Sequence, residues 1–247
     1  MEFTSLIQPM GIDNFMDKFH AKESFVIKGT PEKFVHLITL QEIERRLNDG
    51  CNLNVPPQII QDGVRKTYIE KNVPWAPFAL KKREILEFLK NGHSFMMMNM
   101  SQINPQVSRL IDGIETQFPD MRADLHLYVS PTGNASAYHA HRDRPQHKIY
   151  LQVIGHTFWK IYRQTKELDE KATALTEDAE RHYLEPLLEF TLAPGDMLYM
   201  PPDTFHKVRN HNGARISFSI PFAPAKEGSS RMDRTYIPFA ELFNRSQ

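Results

Sequence analysis

From about position 123 the chain alternates apolar and polar residues in short runs separated by glycine, proline and asparagine, the pattern of strands joined by turns. It predicts strands over 124–130, 147–162, 189–193, 197–201, 206–209 and 215–221, with turns at Pro131-Thr132-Gly133-Asn134 and Asn210-His211-Asn212-Gly213. Short strands in such a series make a barrel or a sandwich. A charged stretch, 166–180, interrupts them with helix-forming residues and is expected to cap one mouth of a barrel. The first 120 residues carry a longer period. Thr39 and Glu42 have capping-box spacing and open a helix over 40–49, with Gly50 where a C-terminal glycine is expected. A second helix over 82–91 ends at Gly92, a third over 105–118 opens on Asn104-Pro105, and 94–100 reads as a buried strand.

Length and composition narrow the class. A chain of 247 residues can bury one sizeable core, so a single domain over 1–247 is expected: a helix-rich part to 120, a barrel core over 121–223 and a polar tail from 224. Lys plus Arg and Asp plus Glu both number 30, so no bulk field draws the protein to nucleic acid or anionic lipid. The single cysteine, Cys51, forms no intramolecular disulfide, which suits a reducing compartment. The opening residues do not read as a secretory signal, and the apolar run around 95–98 is too short to span a bilayer, so a cytoplasmic location away from membranes is expected. The apolar character of 236–243 suits the pairing of two copies.

Two separated segments carry candidate chemistry. Tyr138-His139-Ala140-His141-Arg142-Asp143 offers imidazole and carboxylate at alternate positions, which on one extended strand point the same way. The second segment, from Gly195 to Asn210, brings His206 off a strand punctuated by Pro201 and Pro202. Two imidazoles and a carboxylate form the facial triad that leaves open positions on non-haem Fe(II). His139, His141 and Asp143 share one parity, so spacing alone does not choose two ligands from the three. The bland alternative is solvated loop histidines beside Arg142 and Arg144. Phe158, Trp159 and the methionines at 96–98 are expected in the core, and His147, His156 and His211 on the surface.

Gly195, five residues, Pro201, then His206 and Asn210 reproduce the second cupin signature, G-x5-P-x-G-x2-H-x3-N, with Asp203 at the second glycine. Together with Asp124-Leu125-His126-Leu127-Tyr128-Val129-Ser130-Pro131, His141-x-Asp143, Tyr150-Leu151-Gln152-Val153-Ile154-Gly155-x-x-x-Trp159 and Leu198-Tyr199-Met200-Pro201-Pro202, it resembles the JmjC/cupin-type 2-oxoglutarate oxygenases, and among them the bacterial ribosomal-protein hydroxylases. The resemblance implies a mostly β fold with α: a double-stranded β-helix, or jelly-roll, barrel. It also implies Fe(II) held by His141, Asp143 and His206, 2-oxoglutarate and O2 as cosubstrates, and hydroxylation of a protein, peptide or amino-acid-like substrate. Tyr138 then takes the place of an aromatic three residues before the first ligand. A competing register makes His139, His141 and His206 a three-histidine dioxygenase site that needs no 2-oxoglutarate, and a non-catalytic cupin keeps the barrel without iron chemistry.

The family's cosubstrate anchor, a Lys or Arg two residues after the glycine, is here Thr157, which cannot neutralise a carboxylate. Lys148 and Lys160 have the wrong strand parity if Thr157 points inward. Arg215, followed by Ser217, is the expected replacement.

Overall fold

A computed structural model describes residues 1–49, 55–61, 63–71, 74–76, 78–132, 138–210 and 213–237. Gly50, Cys51, the Gly133-Asn134 and His211-Asn212 pairs and all of 238–247 lie outside the described residues, so the apolar run at 236–243 falls almost wholly outside them. The helices are α1 (Phe3–Leu6), α2 (Ile12–His20), α3 (Leu40–Asn48), α4 (Lys82–Lys90), α5 (Pro105–Gln117) and α6 (Glu177–Tyr183). The first seven strands are β1 (Phe25–Ile27), β2 (Gln58–Gln61), β3 (Val64–Thr67), β4 (Ile69–Glu70), β5 (Ala79–Leu80), β6 (Ser94–Met97) and β7 (Met121–Ala123). The barrel continues with β8 (His126–Ser130), β9 (His147–Ile154), β10 (Thr157–Gln164), β11 (Leu184–Leu192), β12 (Met197–Met200), β13 (His206–Asn210) and β14 (Arg215–Pro224).

Local chemistry sets the helix starts. The Thr39 hydroxyl accepts from the Glu42 amide at 3.2 Å while the Glu42 carboxylate accepts from the Thr39 amide at 2.7 Å, so the capping box closes. Asn104 accepts from the Val107 amide at 2.8 Å, ahead of Pro105 in the first turn of α5. In the charged stretch the helix starts late, because Thr176 caps α6 by accepting from the Ala179 amide at 3.3 Å.

Two antiparallel sheets face each other as the jelly-roll barrel. The larger runs β1-β12-β9-β14-β8-β6-β2-β3 with β7 on β14, and the smaller runs β11-β10-β13. The run expected as one strand over 147–162 is two strands: β9 lies in the large sheet and β10 in the small one. Gly155 makes the crossing at φ 73°, where an added Cβ would lie 2.1 Å from the Ala214 carbonyl oxygen. Only glycine allows that approach.

The large sheet is covered on both faces, and its alternation sorts residues between them. On β8, β9 and β14 one parity, including Leu127, Ile149, Leu151, Ile216, Phe218 and Phe222, packs with Phe15, Leu37 and Ile111 in the main core beneath the helices. The opposite parity aligns in cross-strand register: Tyr128 with Ser217, Ser217 with Gln152, and Ser219 with both His126 and Tyr150. This polar row faces the small sheet, across a second apolar cluster of Tyr150, Trp159, Ile161, Leu192, Leu198 and Met200. Each buried polar group left unsatisfied costs about 1–3 kcal/mol, so a polar row inside a barrel marks a site.

Candidate metal centre between two chambers

His141 and His206 are brought together by backbone pairing. The His141 amide donates to the His206 carbonyl at 3.0 Å, and the His206 amide donates to the His141 carbonyl at 2.8 Å. His206 opens β13, whereas His141 sits in an isolated bridge and not in a regular strand. The expected single strand aiming three side chains inward is therefore replaced by a pinned loop. His139 is exposed, and its part is played by its backbone: its carbonyl accepts from His141 Nδ1 at 2.9 Å. The Thr204 carbonyl does the same for His206 Nδ1 at 3.0 Å. A carbonyl only accepts, so both Nδ1 atoms carry the proton and both Nε2 atoms present lone pairs, that of His206 in long contact with the Tyr150 hydroxyl at 3.5 Å.

The ligand atoms of His141, Asp143 and His206 all lie within 4.8 Å of one another. The two ring centroids are 4.2 Å apart, and Asp143 Oδ2 is 3.9 Å from His206 Nε2. Burial, reinforced by His141, pushes the His206 pKa down to about 3, and burial also lowers that of His141. Both rings are thus neutral at neutral pH, the state a metal requires. Burial alone would raise the Asp143 pKa, but Lys148 and the two imidazoles hold it below its ordinary value. The donor set, two neutral imidazoles and one carboxylate with pre-set tautomers, fits a divalent transition metal.

Lys148 corrects the parity expectation. It is 5% exposed, with Nζ 3.3 Å from Asp143 Oδ2, whereas Lys160 points outward to Glu189 at 2.7 Å. Parity counted from Thr157 does not carry back across Gly155, because the chain changes sheets there.

An inner cavity lies on one side of the cluster. His141, His206, Tyr138, Tyr150 and Trp159 line it, together with Arg215, Ser217, Tyr128 and Asn210. Trp159 stacks on His206 at 5.9 Å with 21° between the planes, and Tyr138 meets His141 edge-on at 5.4 Å. Arg215 lies over the Tyr128 ring, its Nε is buried without a hydrogen-bond partner, and no carboxylate pairs with it among the described residues. Thr157 is 1% exposed and stands behind the wall: its hydroxyl donates to Gln152 Oε1 and accepts from Trp159 Nε1, both at 2.8 Å. Ser217 donates to the same Gln152 oxygen at 3.0 Å.

An outer cleft of about 400 Å³ opens on the other side, lined by Arg65, Tyr138, His139, His141, Asp143, Arg144 and Thr173 among others. Tyr138 and His141 belong to both chambers, so the candidate centre stands at their junction. The charged stretch forms one wall, as expected of a cap. Arg142 donates to the carbonyls of Ala172, Asp169 and Glu170, and Arg144 donates to that of Glu170. Asp203, at the glycine position of the motif, has φ 65° and pairs with both Arg142 and Arg144, while its amide donates to the Asp143 carbonyl at 2.9 Å.

Other residues depart from expectation. His147, expected on the surface, is half-buried: it stacks on Phe19 and Phe222, and its Nδ1 lies 2.8 Å from the Tyr199 hydroxyl. Arg65, Tyr128 and Tyr150 were not singled out by sequence as site residues; Tyr128 and Tyr150 were findable as the inward parity of their strands, Arg65 by no local pattern.

The family model described as a JmjC domain matches residues 96–228, more than half of the chain. The bifunctional lysine-specific demethylase and histidyl-hydroxylase NO66 of Culex quinquefasciatus is 25% identical over 217 residues, covering 85% of this chain and 32% of that protein. NO66 of Caenorhabditis elegans is 24% identical over 217 residues, covering 84% of this chain and 27% of that protein. The chain thus spans about a third or less of these curated relatives. Among solved structures, Escherichia coli ycfD aligns with a TM-score of 0.57 at 16% identity, covering 94% of this chain and 66% of that one. The ribosomal oxygenase YcfD from E. coli in complex with cobalt and 2-oxoglutarate aligns at 0.56, with 16% identity and coverage of 94% and 65%. At that identity the likeness concerns the fold.

Proposed function

Because the chain belongs to the JmjC-domain family, we propose that it is an Fe(II)- and 2-oxoglutarate-dependent oxygenase that hydroxylates an unactivated C–H bond of a protein, peptide or amino-acid-like substrate. One observation carries the proposal: the His141, Asp143 and His206 cluster stands between an inner cavity lined by Arg215, which pairs with no carboxylate among the described residues, and an outer cleft. Relatives named as hydroxylases and a fold neighbour described with cobalt and 2-oxoglutarate support it.

His141 Nε2, His206 Nε2 and the Asp143 carboxylate would hold the iron. Iron, 2-oxoglutarate and O2 together supply the oxidising chemistry, in which one oxygen atom enters the substrate C–H bond and the other enters the oxo acid, which leaves as succinate and CO2. Arg215 takes the distal carboxylate of 2-oxoglutarate in the inner cavity, with Ser217 beside it and Thr157 bracing Gln152 from behind. A guanidinium that pairs with no acid among the described residues is a matched partner for that anion. Trp159 and Tyr150 keep water from the His206 side. The substrate enters by the outer cleft, where Asp143 and His141 are reached from solvent.

The barrel and the helices share one core and form a single catalytic domain on this proposal. No helix of the described residues is long and apolar enough to cross a membrane, and a cytoplasmic location suits a single cysteine. Succinate release from 2-oxoglutarate by Fe(II)-loaded protein in air tests the function: it is expected in the wild type and in His139→Ala, and absent in Asp143→Ala. Activity independent of 2-oxoglutarate, or lost in His139→Ala, would instead favour the three-histidine dioxygenase.

A further inference from the structure

The outer cleft is unbalanced in charge. Among the described residues its lining holds Arg65, Arg142 and Arg144 against one carboxylate, Asp143, which the metal requires. Two of the arginines are committed: Asp203 pairs with both, and loop carbonyls take most of their remaining donors. Arg65, on the exposed edge strand β3, has no acid partner among the described residues. Its Nε donates to the Tyr138 hydroxyl at 3.1 Å, and its Cζ lies 5.1 Å from the centroid of that ring. The tether fixes the guanidinium by Nε and leaves its two Nη groups as a fork, the geometry that grips a carboxylate through two parallel hydrogen bonds. Tyr138 touches His141 and borders both chambers, so the fork is held beside the metal ligands. Buried Lys148 lies behind Asp143, with Nζ 3.3 Å from its Oδ2, so the one acid of the lining is already paired.

We propose that Arg65 reads a carboxylate on the substrate, making the outer cleft a site for an acidic group presented next to the reacting C–H bond. This rests on the oxygenase function proposed above and names its substrate class. The carboxylate has two sources, an acidic side chain in a peptide or a free amino acid. Arg65 is a specificity-determining residue and touches no iron ligand directly.

Saturation-transfer NMR on the full chain tests it, with 2-oxoglutarate present to fill the inner cavity and with the protein both metal-free and Co(II)-loaded. The probes are free L-aspartate, a capped Gly-Asp-Gly peptide and its Asn counterpart. The better acid probe is expected to bind about fivefold more tightly than the Asn peptide, the scale of a partly exposed charge-assisted pair. Which acid binds better identifies the source. Arg65→Met should erase the preference and Arg65→Lys should keep part of it. Equal binding of acid and amide probes, or a preference that survives in Arg65→Met, overturns the proposal. Co(II) should relax the protons of the bound acid. If the preference depends on Arg65 but the protein takes up no Co(II), the carboxylate site stands and the oxygenase function falls.

Discussion

The Arg215 guanidinium lies 5.8 Å from the centroid of the Tyr128 ring, and the buried Nε has no hydrogen-bond partner among the described residues. A cation held this way weakens the protein until an anion arrives, because its desolvation is uncompensated. Arg215→Met should leave the ligand-free protein as stable as wild type or more so, and should remove the stabilisation that 2-oxoglutarate confers. That stabilisation is about 2.7 kcal/mol at a hundredfold excess over Kd. Urea unfolding with and without 2-oxoglutarate measures both. In turnover, Arg215→Ala should raise the KM for 2-oxoglutarate far more than it weakens Fe(II) binding.

Asp143 and His206 should be indispensable to metal uptake and His139 dispensable. Co(II) titration followed by visible absorption is expected to show one site in wild type and His139→Ala, and none in Asp143→Ala or His206→Ala. His139 acts on His141 through its carbonyl, which alanine keeps.

Asp203 adopts a left-handed backbone and neutralises the buried Arg142. Asp203→Asn keeps the tolerance for that conformation and loses the charge, whereas Asp203→Ala loses both. The left-handed region adds about 1–2 kcal/mol for alanine, so the Ala variant should unfold at a lower urea concentration than the Asn variant.

Burial holds His126 and His147 at a pKa of about 4, against an ordinary 6.5. Between these values the unfolded chain takes up protons that the folded one refuses. Stability of the metal-free protein should therefore be greatest above pH 6.5 and fall as pH drops toward 4, by at most about 1.4 kcal/mol per pH unit for each proton. His147→Gln should flatten the slope by up to one proton. Urea midpoints across that pH range read it.

The barrel is legible because strand patterning and turn residues are local, and the ligands because His141, Asp143 and His206 sit in two short motifs. The second chamber wall is not. Lys148 is inward by the parity of Tyr150 on its own strand and outward by the parity of Thr157, and only the change of sheet at Gly155 decides between them; Arg65 reaches Tyr138 only through the pairing of β3 with β2, β2 with β6 and β6 with β8. Polar contacts made through tertiary pairing leave no periodic trace. The ring tautomers are equally silent, since backbone carbonyls of His139 and Thr204 set them and any residue type has a carbonyl.

Anaerobic titration of the Fe(II)-loaded protein with 2-oxoglutarate tests the central claim most directly. The visible charge-transfer absorption of a 2-oxo acid bound to Fe(II) should grow to one equivalent in wild type, require much more 2-oxoglutarate in Arg215→Ala, and be absent in Asp143→Ala. An iron-loaded wild type that develops no such absorption at any 2-oxoglutarate concentration would contradict the account.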